Sequence, residues 1–134
     1  MEKTDKKNII DWLFSADNET AETKEIKMTR LSKIRGEDVI FTIKSLGFDD
    51  ICHYRAIQDD SRRQIAMVLA GVLSPNLKDK DAYRAAGFAS AADAVKAKLK
   101  PGEISLLANE ISRLSGYGVS IAEEIEKNSG STTT

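Results

Sequence analysis

Leu99-Lys-Pro-Gly-Glu-Ile-Ser-Leu-Leu-Ala-Asn-Glu-Ile-Ser-Arg-Leu-Ser-Gly-Tyr117 is a helix with both ends written into the sequence. Pro101 falls where a first helical residue needs no N–H partner, Glu103 favours the positive end of the helix dipole, and Ser115-Gly116 closes the run. Between these signals Ile104, Leu107, Ile111 and Leu114 recur at helical spacing with the small Ala108 on the same stripe. Glu103, Asn109, Glu110 and Arg113 occupy the other face. A stripe of this kind must be covered, so the rest of the chain has to supply a layer that packs on it.

Upstream, Val72-Leu73-Ser74-Pro75-Asn76-Leu77-Lys78-Asp79 ends a second apolar helix. That helix is expected from about Ser61 to Leu73, with Ile65, Val68, Leu69 and Val72 on one stripe and Met67 and Leu73 beside it. Its small residues Ala66, Ala70 and Gly71 permit another element to approach closely, so it reads as the central core helix. Asp59-Asp60-Ser61 caps its start, and Ser74-Pro75 stops it because the residue before proline is pushed out of the α region. Phe48, Ile51, Tyr54 and Ile57 mark a helix before it. After it come a short helix from Asp79 or Asp81 to Ala86, ended by Gly87, and another opened by Ser90-Ala-Ala-Asp93 and running to about Leu99. Ser120-Ile-Ala-Glu123 is a capping box that predicts a last helix with Ile121, Ala122 and Ile125.

Toward the N-terminus the period changes from helical to two. Ile26 and Met28 alternate with Lys27 and Thr29, and Val39, Phe41 and Ile43 with Ile40, Thr42 and Lys44, which predicts two strands. Arg35-Gly36-Glu37-Asp38 reads as the turn of a β-hairpin, and two strands alone need a helical face to lean on. The fold class is therefore α+β, mostly α: an N-terminal β-hairpin followed by about five helices around one core. Lys24, Lys27, Arg30, Lys33 and Arg35 make the hairpin basic, as lysines on an edge strand would do to keep it from pairing with other chains.

Three segments make up the domain plan. Residues 1–15 form an amphipathic arm with Ile9, Trp12 and Leu13 on one side and Ile10 and Phe14 flanking it. Such an arm either folds back over the core or docks on a neighbouring copy, and the polar stretch from Ser15 to Thr23 suits a tether. Residues 16–127 form the single α+β domain, and residues 128–134, Asn-Ser-Gly-Ser-Thr-Thr-Thr, have nothing to bury and are expected to be disordered. On the docking reading, Ile9, Trp12, Leu13 and Phe14 bind a partner copy, which receives them on a surface near Val72 and Leu73.

A chain of 134 residues can bury a core without staples, and 41% hydrophobic with 31% charged residues is ordinary soluble composition. A formal net charge of −1 argues against nucleic acid as a partner, and Arg62-Arg63 is too short for a recognition surface. No stretch is apolar for long enough to serve as a signal peptide or span a membrane, and a single cysteine, Cys52, allows no intrachain disulfide, so a reducing cytosol is expected. Cys52 and His53 are adjacent on a helix, point about 100° apart and therefore make neither a metal site nor a nucleophile pair. Asp49-Asp50, Asp59-Asp60 and Glu123-Glu124 are consecutive pairs explained by capping and solvation, and the glycines are too dispersed to cradle phosphate. The residues thus predict no catalytic site, no cofactor and no metal, and leave an interaction protein.

The Ser-Pro-x-Leu-Lys-Asp turn from Ser74, followed by the Leu-x-Pro-Gly-Glu-Ile-x-x-Leu-x-x-x-Ile-x-x-Leu-Ser-Gly-Tyr helix from Leu99, resembles the XkdN-like tail assembly chaperones of contractile-tailed phages and PBSX-type defective prophages. The resemblance covers roughly residues 24–127. It implies a non-catalytic chaperone made in the host bacterial cytoplasm, which binds the tape-measure protein, keeps it soluble and is absent from the finished tail. It also implies self-association along the client and displacement by the tail-tube protein. The competing class is a structural tail or head-tail connector subunit, which would stay in the virion.

Overall fold

Along the chain run α1 (Lys6–Leu13), β1 (Thr23–Lys27), α2 (Thr29–Arg35), β2 (Ile40–Lys44), α3 (Phe48–Arg55), α4 (Asp60–Gly71), β3 (Val72–Ser74), α5 (Lys80–Ala85), α6 (Ala91–Lys98) and α7 (Pro101–Leu114). The structure is a computed structural model and describes residues 6–15, 21–118, 122, 124 and 125.

The helix over Pro101–Leu114 buries the stripe its sequence announces: Ile104, Leu107, Ala108 and Ile111 all lie inside, with Leu114 packed against them. Its start is held by Glu103, whose Oε1 accepts the Lys100 N–H at 2.7 Å, the N3 half of a capping box. The layer that receives it is α4. Gly71 at the end of α4 lies so close to α7 that a Cβ there would sit 2.5 Å from Ile111 Cδ1. Asp59 caps α4 by accepting the Arg62 N–H at 3.1 Å. Asp79 and Ser90 cap α5 and α6 through the N–H groups of Ala82 and Asp93. Five helices, α3 to α7, therefore follow the second strand, in a mixed α+β fold around one apolar cluster.

The sheet has the order β1-β2-β3, antiparallel throughout. Phe41 and Ile43 turn inward and are buried, whereas Ile40, Thr42 and Lys44 face the other way. Lys24 is registered opposite Ile43, so its side chain lies on the helical side, where Nζ meets Glu110 Oε1 of α7 at 2.6 Å. Ser115 closes α7 and ties it to the sheet: its Oγ donates to Ile111 O at 2.8 Å and accepts the Leu46 N–H at 2.9 Å.

Several expectations need correction. The hairpin strands pair as the alternation predicts, but α2 connects them instead of a tight turn at residues 35–38. Buried Ser32 explains this: its Oγ donates to Met28 O at 2.7 Å and accepts the Val39 N–H at 2.8 Å, pinning both ends of the connection. Gly36, read as part of that turn, instead ends α2 with a positive φ of +85°. The core helix stops at Gly71, not Leu73, because Val72–Ser74 pairs with β2 as a third strand, with Val72 opposite Ile43. Phe48 begins α3 but is 79% exposed and does not join the stripe of Ile51 and Tyr54. In the predicted last helix, Ala122, Glu124 and Ile125 are not helical, and Ile125 is exposed; Ser120, Ile121, Glu123 and the 128–134 tail lie outside the described residues.

Candidate functional site

Groups capable of chemistry are dispersed over the surface. Cys52 and His53 are both exposed on α3, and the His53 ring stacks edge-on against Tyr54 with centroids 5.1 Å apart. Asp49 and Asp50 fill the first turn of α3, Asp59 caps α4, and Asp60 pairs with Arg63, so each acid serves a helix start. Among the described residues no three His, Cys, Asp or Glu side chains converge as metal ligands would, and no helix is long and apolar enough to cross a membrane.

The basic side chains of the hairpin region have local uses. Lys24 meets Glu110, Lys27 meets Asp38 at 3.0 Å and Arg35 approaches Glu37 at 3.7 Å. β1 is an edge strand, where such lysines block pairing with other sheets. The strongest contact is Arg30 with Glu103. Arg30 Nε and Nη2 donate to the two carboxylate oxygens at 3.0 and 2.8 Å, and Nη2 also donates to Lys98 O at 3.0 Å. Glu103 is thereby shared between Arg30 and the Lys100 N–H. The hydrogen bond from Arg30 holds its carboxyl below the ordinary 4.5, against the opposing effect of burial. This pair fastens α2 to the start of α7 and is structural. The sequence marks Glu103 as a dipole partner but carries no sign of Arg30, seventy-three residues away.

What remains is apolar surface. On α1 and at the residue that follows it, Ile9, Ile10, Trp12, Leu13 and Phe14 are between 47% and 78% exposed. Ser15 ends this helix by donating Oγ to Trp12 O at 2.7 Å. Of the two residues expected to receive the arm, Val72 is in the core at 6% exposure, whereas its neighbour Leu73 is 49% exposed. The region near Val72 and Leu73 thus presents Leu73 and not Val72.

A second apolar surface has no single-residue signal in the sequence. Between α4 and α6 runs an open groove of about 550 Å³ lined by Ile65, Ala66, Leu69 and Ala92 and by a balanced set of charges, Arg62 and Lys96 with Asp59 and Asp93. Ile65 and Leu69 belong to the stripe predicted for the core helix, but of the two only Ile65 is buried, and Leu69 is half-buried. The stripe is wider than the layer that covers it, and α6 meets it there with the small Ala92. A third opening lies between α3, α4 and the end of α7, where the Arg55 guanidinium stacks 5.1 Å over the Tyr117 ring.

This arrangement can bind apolar side chains. A family model for phage XkdN-like tail assembly chaperone proteins matches residues 10–128. No curated protein and no solved structure matches the chain.

Proposed function

We infer, since this chain belongs to the phage XkdN-like tail assembly chaperone family, that it binds the tape-measure protein in the host bacterial cytoplasm and keeps it soluble until the tail tube assembles around it. The role is non-catalytic. The observation that carries this reading is the family match, which runs from α1 to beyond α7.

Physical chemistry supports it. A tape measure is a long helical chain whose apolar stripe aggregates unless covered, and helix-in-groove recognition is the ordinary means of covering one. The exposed α1 side chains and the open α4–α6 groove are apolar surfaces of that kind. Many copies are needed along one client, so each contact is weak and the assembly draws its strength from multivalency. The tail-tube protein then displaces the chaperone as it polymerises.

The test is particle composition. In cells producing the phage, quantitative mass spectrometry is expected to find this protein abundant in the lysate alongside the tape measure and missing from purified tails. Stoichiometric retention in the tails would overturn the chaperone reading in favour of a tail or connector subunit.

A further inference from the structure

We propose that the pocket between α3, α4 and the end of α7 is closed by the chain's own C-terminal segment, with the Glu124 carboxylate on Arg55 and Ile125 seated beside it. The pocket holds about 510 Å³ and is lined by Ile51 and Arg55 of α3, Arg63 and Met67 of α4, Ser112 of α7, and Tyr117. Two of these six residues are arginines and none is a carboxylate. Arg63 is already engaged, its Nη1 donating to Ile57 O at 2.6 Å and its Nη2 pairing with Asp60. Arg55 has no ion-pair partner among the described residues. Its guanidinium lies over the Tyr117 ring, 5.1 Å from the centroid, and stacking of this kind leaves the N–H groups at the guanidinium edge free to grip a carboxylate.

Charge and route together name the occupant. Beyond Gly118 the chain reads Val119-Ser-Ile-Ala-Glu-Glu-Ile-Glu126, three carboxylates set among apolar residues. Glu124 and Ile125 are exposed, Ile125 at 86%, so an acid and an apolar side chain stand unused a few residues from a cationic pocket. The chain leaves α7 along the pocket wall: Gly116 and Gly118 have φ of +102° and +73°, and the Tyr117 N–H donates back to Ser112 O at 3.0 Å. Both residues joined by that hydrogen bond line the pocket. The seven residues from Tyr117 to Glu124 can span up to about 25 Å, ample for a return to Arg55, which already touches Tyr117. A tether this short gives an effective concentration of the order of mM, which a separate acidic chain would have to match. Glu124 and Ile125 are thus the tip of a strap, described in its open position.

The full chain carries its own labelling site for the test, since Cys52 is its single cysteine and lies exposed on α3, one turn before Arg55. With a nitroxide on Cys52, the amide NMR signals of Glu124 and Ile125 are expected to lose intensity at low salt and to regain it as salt rises. Arg55→Glu and, separately, Ile125→Ser are each expected to lower the closed-to-open ratio about fivefold or more, with the signals of the helices and sheet in place. Ile125 lies outside the core, so its replacement keeps the test valid should Arg55→Glu disturb α3. Signals equally bright with and without the nitroxide, or equally weakened in the intact chain and in both variants, overturn the proposal. Isotope-labelled chains mixed with unlabelled chains that carry the nitroxide are expected to stay bright; weakening there would put the segment on a second copy and overturn the contact within one chain. No tape measure is present, so failure here leaves the chaperone reading standing.

Discussion

At the scale of single residues, the molecule is held at a few positions where one atom decides. Gly71 is one: any side chain there meets Ile111, which is fully buried and cannot retreat. Gly71→Ala is expected to cost about 1–3 kcal/mol, read as a fall in Tm of about 3–5 °C for each kcal/mol. Ser32→Ala leaves the Val39 N–H without its acceptor, and chemical denaturation is expected to show a loss of about 1–3 kcal/mol. Glu103 sets an acid limit. Its carboxyl is lowered in the folded state, so the stability it contributes is complete above the ordinary value of 4.5 and is lost as pH falls through the lowered one. Unfolding midpoints measured from pH 7 down to 3 are expected to drop on the acid side, and Glu103→Gln to lie lower at neutral pH with a shallower acid slope. Equal slopes for the two would show that Glu103 ionises alike in both states. The close approach at Gly71 is legible in the sequence as a small residue on an apolar helix. The bridge through Ser32 is not, because a serine between two strands reads as surface.

At the scale of elements, legibility follows the caps. The helices α4, α5, α6 and α7 carry their start signals in Asp59, Asp79, Ser90 and Pro101, side chains or rings that act within one turn of the residue itself. Two elements escaped. α2 has no side-chain cap, and its buried Ser32 gains its meaning from Val39, across the connection. β3 continues the spacing of the α4 stripe, and only pairing with Ile43 draws Val72 into a strand, a tertiary preference that outweighs the local one. The groove on α4 was hidden for the same reason: a stripe in sequence does not say how much of it a neighbouring helix will cover. The arm α1 leaves its large side chains exposed. Deleting residues 1–14 is therefore expected to leave Tm within about 2 °C; a fall of a kcal/mol or more, which in a domain of this size lowers Tm by about 4 °C or more, would make the arm part of the core.

At the scale of the whole molecule, a helical layer covers one face of a three-stranded sheet, and apolar side chains are left over on an arm and in a groove. That distribution suits a protein whose work is to cover others temporarily, since exposed apolar surface on this scale is a liability unless something is meant to occupy it. The family supplies the setting, phage tail assembly; the form of binding proposed for it is weak at each copy and strong along a chain of them. The central claim concerns the client, and co-expression with the tape-measure protein, or long fragments of it, tests it most directly. The account predicts that the tape measure moves from the insoluble to the soluble fraction only when this protein is present, and that the two elute together. A tape measure equally insoluble, or equally soluble, with and without it, and no co-elution, would contradict the account.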